Sequence, residues 1–398
     1  MKKLFVLGFA IAASSFFIGC DNGENGNTNT ITHKSHNELR EEVIGLRDAT
    51  TLQHPGKIYT KDQYLLIGEI GKGVHVFDNT DPRSPKNLAF IQIPGNVDVA
   101  IKGDVIYADN FMDLVTLNAK TGKVTRVKNA FKNHEERRRD EVLALNNGKD
   151  PLGMKGTQFQ AVNHGSPGGN PVGTGGSMAR FAIVGDHLYV LDENTMKVFD
   201  ITDPDNPVKK NEIEMDFVVE TIFPHEDKLF IGGTQGMYIY DNTDPAMPRL
   251  LSQFEHAIAC DPVVVSGSYA YVTLREGGPC GRSSNQLDVV DISTITNPTL
   301  VKSFQMHSPA GLSVQNNVLF LCDGNQGLKV FDVTDKENIS GNLLFRDNDI
   351  RKAYDVIASS GSPVVIVVGK EGLYQYDASN PESLEKLSEI TIEKEKNS

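Results

Sequence analysis

The chain has no tryptophan, four cysteines in 398 residues, and too little positive charge to balance its acids, with 39 Lys and Arg against 52 Asp and Glu. Without tryptophan, any interior must be filled by Phe, Tyr and branched aliphatics. The acidic balance disfavours nucleic acid or an anionic lipid surface as the main partner, because such surfaces demand clustered Lys and Arg. After residue 19 no apolar run approaches the roughly 20 residues that a bilayer-spanning helix needs. No nucleophile–base pair and no zinc-type spacing stands out either, and His134, His164 and His256 are isolated from one another.

The first 20 residues are organised differently. Lys2 and Lys3 give a positive start, Leu4 to Phe17 is almost wholly apolar, and Phe17-Ile18-Gly19-Cys20 ends the segment. This layout is that of a secretory signal. Its ending resembles the lipobox of bacterial lipoproteins, with Phe17 an unusual first residue. The resemblance implies cleavage before Cys20 and acylation of that cysteine, each buried methylene adding about 0.8 kcal/mol of membrane affinity. Removing residues 1–19 leaves 37 basic residues against 52 acidic ones, a formal charge near −15. Residues 20–38 begin with Asp21-Asn22-Gly23-Glu24-Asn25-Gly26, cannot bury a core, and read as a flexible tether. Asp21 resembles the inner-membrane retention signal of some enteric bacteria; other groups sort differently, so the choice of membrane stays open. A lipid-anchored protein of the bacterial cell envelope, periplasmic or surface-exposed, is the expected setting.

The body, residues 39–396, is built on a recurring phrase. Val76-Phe77-Asp78-Asn79-Thr80-Asp81-Pro82 returns as Val198-Phe199-Asp200-Ile201-Thr202-Asp203-Pro204 and Ile239-Tyr240-Asp241-Asn242-Thr243-Asp244-Pro245. Weaker copies centre on Asp291, Asp332 and Asp377, and a degenerate one on Asn118. The steps between these anchors are 40, 82, 41, 50, 41 and 45 residues. Steps of about 40 to 50 residues are those of propeller blades. Residues 128–177 hold no further copy, so the long step contains an insertion rather than an eighth unit. Each unit reads as four short strands with Gly, Asn, Asp and Pro punctuation, and radial packing buries both faces of such sheets. The expected fold is all-β: a single β-propeller of seven four-stranded blades, with a partly helical, Gly-rich insertion between blades 2 and 3. In the Asp-x-x-Asp-Pro turn, Asp accepts amides two residues on and Pro fixes φ. A calcium-loop reading is the lesser one, because the alternating acids and terminal Glu of such a loop are missing.

Units such as Asp186-His187-Leu188-Tyr189-Val190 followed by Met196-Lys197-Val198-Phe199-Asp200-Ile201-Thr202-Asp203-Pro204 resemble the LVIVD repeat of bacterial and archaeal surface proteins. The likeness spans about residues 58–392, weakest around Asn118 and Asp377. It implies a propeller outside the cytoplasm and supplies no catalytic motif.

Two irregularities fall on one face of such a propeller, the face carrying second-to-third turns and inter-blade links. One is the insertion, with His134, Arg137, Arg138 and Arg139 in a helical half and His164 in a Gly-rich half that lacks the Lys-Ser or Lys-Thr of a phosphate loop. The other is the long turn Arg275 to Gln286, which contains Cys280 and Arg282. Loops held by a rigid scaffold carry function, so this face is the candidate binding surface. Cys260 and Cys280 both fall on it and are a candidate disulfide, closing a span worth about 3 kcal/mol in the loop-entropy model; Cys322 reads as a buried thiol. The first strands carry Asp98, Glu220, Asp261 and Asp355 near equivalent positions. These acids either line a central channel, where they would titrate high or invite a cation such as calcium, or simply hydrogen-bond neighbouring strand ends, the plainer expectation. No other cofactor is implied. The leading functional expectation is a non-catalytic scaffold that binds an envelope protein or glycan. The alternatives are a hydrolase or metal-dependent enzyme with acids at the channel mouth, and a purely structural surface-layer role. Fold alone does not decide among them.

Overall fold

The computed structural model describes residues 35–131, 174–255, 262–276, 285–358 and 362–393. Residues 1–41 and 42–398 form separate compact units. In the first, Ser35 and Glu38 form a reciprocal capping box on the short helix His36–Arg40. No described helix is long and apolar enough to cross a membrane.

The second unit is a seven-bladed β-propeller of antiparallel sheets, each built on four strands consecutive in sequence. The first strands of blades 2 to 7 lie side by side around the axis. They are Val99–Lys102, Phe181–Val184, Val219–His225, Val263–Ser266, Leu312–Gln315 and Asp355–Ala358. Blade 1 begins with Pro55–Lys61 and is widened at its outer edge by Gly45–Arg47. All seven third strands end on an anchor of the sequence repeat: Asp78, Asn118, Asp200, Asp241, Asp291, Asp332 and Asp377.

The physical reason is the turn that follows. Each anchor oxygen accepts an amide two residues on, from Thr80 (2.9 Å), Lys120 (3.1 Å), Thr202 (2.8 Å), Thr243 (3.2 Å), Ser293 (2.8 Å), Thr334 (2.7 Å) or Ser379 (2.8 Å). The second acid repeats the device, Asp81 accepting from Arg83 and Asp244 from Ala246. These carboxylates are spent on the backbone, as Asx turns are. In six blades the pairing of third and fourth strands shifts by one residue just before the anchor, as at Val76/Phe77 and Val330/Phe331. Blade 2, the degenerate unit, pairs without that shift.

Second and third strands are buried on both faces, whereas fourth strands are mostly exposed or half-buried, as outer edges should be. The largest fully buried side chains include Tyr107, Tyr189, Tyr238, Tyr271 and Tyr376 with Phe131, Phe199 and Phe320, in line with the lack of tryptophan. Cys322 is a free, fully buried thiol, and burial pushes its pKa well up.

Blade 7 is made wholly of residues 355–391 and blade 1 lends it no strand, so the ring closes through side chains and a backbone bond from the Glu393 amide to the Leu52 carbonyl (2.9 Å). Leu52, Ile58, Ile67 and Phe77 pack on Ile357, Ile366 and Leu373. Asn79 and Gln375 exchange amide hydrogen bonds of 2.9 and 2.8 Å. Arg83 grips Glu385 with two bonds of 2.7 and 3.0 Å.

Candidate functional site

The insertion lies where the repeat spacing predicts it, between the last strand of blade 2 and the first of blade 3. Within the expected span of 128–177, both ends pack with the propeller. Ala130 and Phe131 are buried in the core between blades 2 and 3, and the Phe131 amide donates to the Met112 carbonyl (2.9 Å). At the other end, Thr174–Gly175 pairs antiparallel with the first strand of blade 1, Thr174 opposite Thr60 and Gly175 opposite Tyr59. The chain continues along the axis. Ser177 Oγ accepts the Leu312 amide of blade 6 (2.8 Å), the Ala179 carbonyl accepts the Ile222 amide of blade 4 (2.7 Å), and the Arg180 amide donates to Asp98 Oδ2 (3.1 Å) at the start of blade 2. Residues 132–173 lie outside the described residues. With them go His134, Arg137, Arg138, Arg139 and His164; Cys260, Asp261, Cys280 and Arg282 also fall outside, as does Cys20.

At the mouth end of the first strands, one register position brings together Lys57, Asp98, Arg180, Gly311 and Asp355, with Glu220 beside it at a bulge in blade 4. The predicted acids Asp98, Glu220 and Asp355 are all buried there. The ring is of mixed charge, however, because Lys57 and Arg180 occupy the same position. The expected channel acids did not include either: Lys57 lies within the strand Pro55–Lys61, and Arg180 directly precedes the strand Phe181–Val184.

Asp98 is the hub. Its Oδ2 accepts from the Lys57 ammonium and the Arg180 amide, and its Oδ1 from the Tyr59 hydroxyl and the Val99 amide. Burial pushes the Asp98 carboxyl up to about 6, against the pull of Lys57 and Tyr59. Burial also draws the Lys57 ammonium down to about 7, against the attraction of Asp98. Beneath them, Asp109 accepts the amides of Val97 (2.9 Å) and Asp98 (2.8 Å) and the Asn96 side chain (2.9 Å). Blades 1 and 6 use the same clamp. Glu69 accepts the amides of Gln53 and His54 (3.0 and 2.7 Å), and Asp323 those of His307 and Ser308 (2.9 and 2.6 Å). Burial alone would raise Glu69, but hydrogen bonds from His54, His75 and those amides hold it down at about 2. These acids fix the inter-blade links rather than open toward a ligand.

Arg275 is the one predicted face cation among the described residues. Burial draws its guanidinium below the ordinary value, with Glu220 opposing. Among the described residues no group of three or more His, Cys, Asp or Glu is arranged to hold a metal ion.

Comparison with known proteins agrees with this architecture. The LVIVD repeat is present at residues 175–214 and 258–306, which cover blade 3 with the axial segment before it and blade 5. Similar solved structures include a protein from Lactobacillus plantarum, with 14% identity, 85% of this chain and 97% of that one covered, and a TM-score of 0.57. A periplasmic gluconolactonase of Pseudomonas aeruginosa aligns at 10% identity over 88% and 96% of the two chains, TM-score 0.53. Hsv2 of Kluyveromyces lactis aligns at 10% identity over 85% and 100%, TM-score 0.51. At such identities the likeness is one of fold. No curated protein matches the sequence.

Proposed function

We propose that this chain is a lipid-anchored protein of the bacterial cell envelope whose propeller is a non-catalytic docking scaffold for an envelope protein or glycan. The working surface is the face that carries the insertion and the long turn after Arg275. One observation carries the reading. Asp98, Lys57 and Tyr59 at the axial mouth are engaged with one another: Asp98 has four donors from within the protein, and residues 174–180 run along the axis between blades. A catalytic mouth needs polar groups directed at a vacant space; here they build a platform, and the loops around it are left to recognise a partner. The gluconolactonase fold is compatible with a sugar-lactone enzyme, yet fold does not carry chemistry across at 10% identity.

The test is crosslinking in intact envelopes, followed by detergent extraction and identification of what copurifies. The native chain is compared with a variant in which residues 132–173 are replaced by a Gly-Ser linker, leaving Phe131 and Gly176 in place. A protein or glycan captured by the native chain and lost from the variant supports the proposal. Equal capture by both overturns the use of this face, and no capture by either overturns the docking role.

A further inference from the structure

The carboxyl of Asp355 differs from its neighbours on the axis. It is buried at the start of blade 7, and among the described residues it receives one hydrogen bond, from the Val356 amide (2.9 Å). Two glycines hold it on either side. A Cβ on Gly176 would lie 2.0 Å from Oδ2, and one on Gly311 would lie 2.5 Å from Oδ1. Gly176 therefore lets the axial segment press its backbone against the carboxyl, between the pairing of Thr174–Gly175 with blade 1 and the Ser177 bond to blade 6. The groups facing Asp355 are Lys57 of blade 1, Asp98 at the start of blade 2, Cys322 of blade 6 and the adjacent Tyr354. Lys57 favours the ionised carboxyl, but its ammonium is bonded to Asp98; Arg180 lies near that same ammonium.

We propose that residues 174–180 form an axial latch held shut by the uncharged carboxyl of Asp355, so that loss of its proton releases the segment from blades 6 and 7 and loosens the C-terminal root of the insertion. A neutral carboxyl tolerates a close, largely apolar fit against Gly176, whereas a carboxylate there lacks the donors or the bonded cation that would offset its burial. The electrostatics agree. Burial raises Asp355 to about 7, with the Val356 amide and Lys57 opposing and Asp98 adding to the rise. An acid raised in the closed state stabilises that state fully below its ordinary value near 4; the stabilisation is lost as pH rises toward about 7 and stays lost above. The latch is thus closed in mildly acidic surroundings and weakened at neutral pH, whatever the face binds.

Hydrogen–deuterium exchange of the purified full chain tests this, corrected for intrinsic rates and read on the peptide covering residues 174–180. Between pH 5 and 7 its protection should fall more than tenfold and level off above pH 8, while the third strand of blade 4, Gly236–Asp241, changes little. Asp355→Asn, which keeps the shape and an acceptor for Val356, should stay protected with no such slope. Ser177→Ala should lower protection at every pH and keep the slope. A flat native profile, an equal slope in blade 4, or an unchanged slope in Asp355→Asn would each overturn the latch. If Asp355→Asn does not fold, the native profile decides alone.

Discussion

Two tyrosines at equivalent positions in adjacent blades make a quantitative test of how the blades fit. Tyr189, on the second strand of blade 3, donates across to blade 4, sharing its proton between Asn242 Oδ1 (2.8 Å) and the Pro245 carbonyl (2.9 Å). Tyr107 holds the same place in blade 2, but Ile201 stands in blade 3 where blade 4 has Asn242. Its hydroxyl is buried with no partner among the described residues. Burial, with Asp205, Asp203 and Asp186 nearby, pushes that phenol far up. Leaving a buried hydroxyl unpaired costs about 1–3 kcal/mol. Tyr107→Phe removes that penalty without opening a cavity and should stabilise by about 1 kcal/mol or more. Tyr189→Phe should destabilise by about 1–3 kcal/mol, because it removes a bond and strands an acceptor on Asn242. Equilibrium urea unfolding reads both. With a slope of about 3 kcal/mol per molar, 1 kcal/mol moves the midpoint by about 0.3 M, in opposite directions for the two variants. A double variant with Asn242→Ala should cost less than the sum of its singles, since the two share one interaction. If Tyr107→Phe lowers the midpoint as much as Tyr189→Phe, the hydroxyl is satisfied and the reasoning fails.

Four further outcomes follow from the strands, the ring seam and the buried acids. Gly236 opens the third strand of blade 4 with φ +154°, and a Cβ would lie 2.3 Å from the Phe254 carbonyl oxygen; Gly236→Ala should destabilise by about 2 kcal/mol or more in urea unfolding. At the ring seam, Gln375→Ala removes a fully buried amide from its exchange with Asn79 and should cost about 1–3 kcal/mol. Arg83→Ala, at an ion pair exposed on both sides, should leave the midpoint unmoved, and a large loss there would show that the rim rather than the buried seam holds the ring. Glu69 is lowered to about 2, so its contribution is present above about 4.5 and is lost as pH falls through about 2. Native stability should therefore drop between pH 4.5 and 2, and Glu69→Gln should be less stable at neutral pH with a flatter acid limb; parallel curves would count against that carboxylate.

The blades were legible in the sequence because each turn is local. An acid that accepts an amide two residues on writes its geometry into adjacent letters, and all seven anchors end third strands. The degenerate unit was legible as well: Asn118-Ala119-Lys120-Thr121-Gly122 lacks the second acid and the proline, and its sheet lacks the register shift. What could not be read depends on distant pairs. Ser177 meets an amide 135 positions away, and Gln375 meets Asn79 at a separation of 296. Gly176 looks like one more residue of a flexible Gly-rich run, yet it serves a close approach to Asp355. The mixed charge of the axial ring was present in the letters but hidden by a search for acids alone. Lys57 is signalled only by the register it shares with Asp98 and Asp355.

The position of the insertion links these observations to function. It leaves the propeller after blade 2, the unit with the least regular turn, and its two roots differ in kind. The first root is set among apolar side chains between blades, with Phe131 stacked on Phe181 at 6.1 Å between ring centroids. Such packing resists small displacements, because cores are close-packed and give way only in discrete steps. The second root is held at the axis by backbone pairing, the bonds of Ser177, Ala179 and Arg180, and the fit against Asp355. The seam between blades 7 and 1 is closed by side chains together with a backbone bond from the Glu393 amide to the Leu52 carbonyl (2.9 Å).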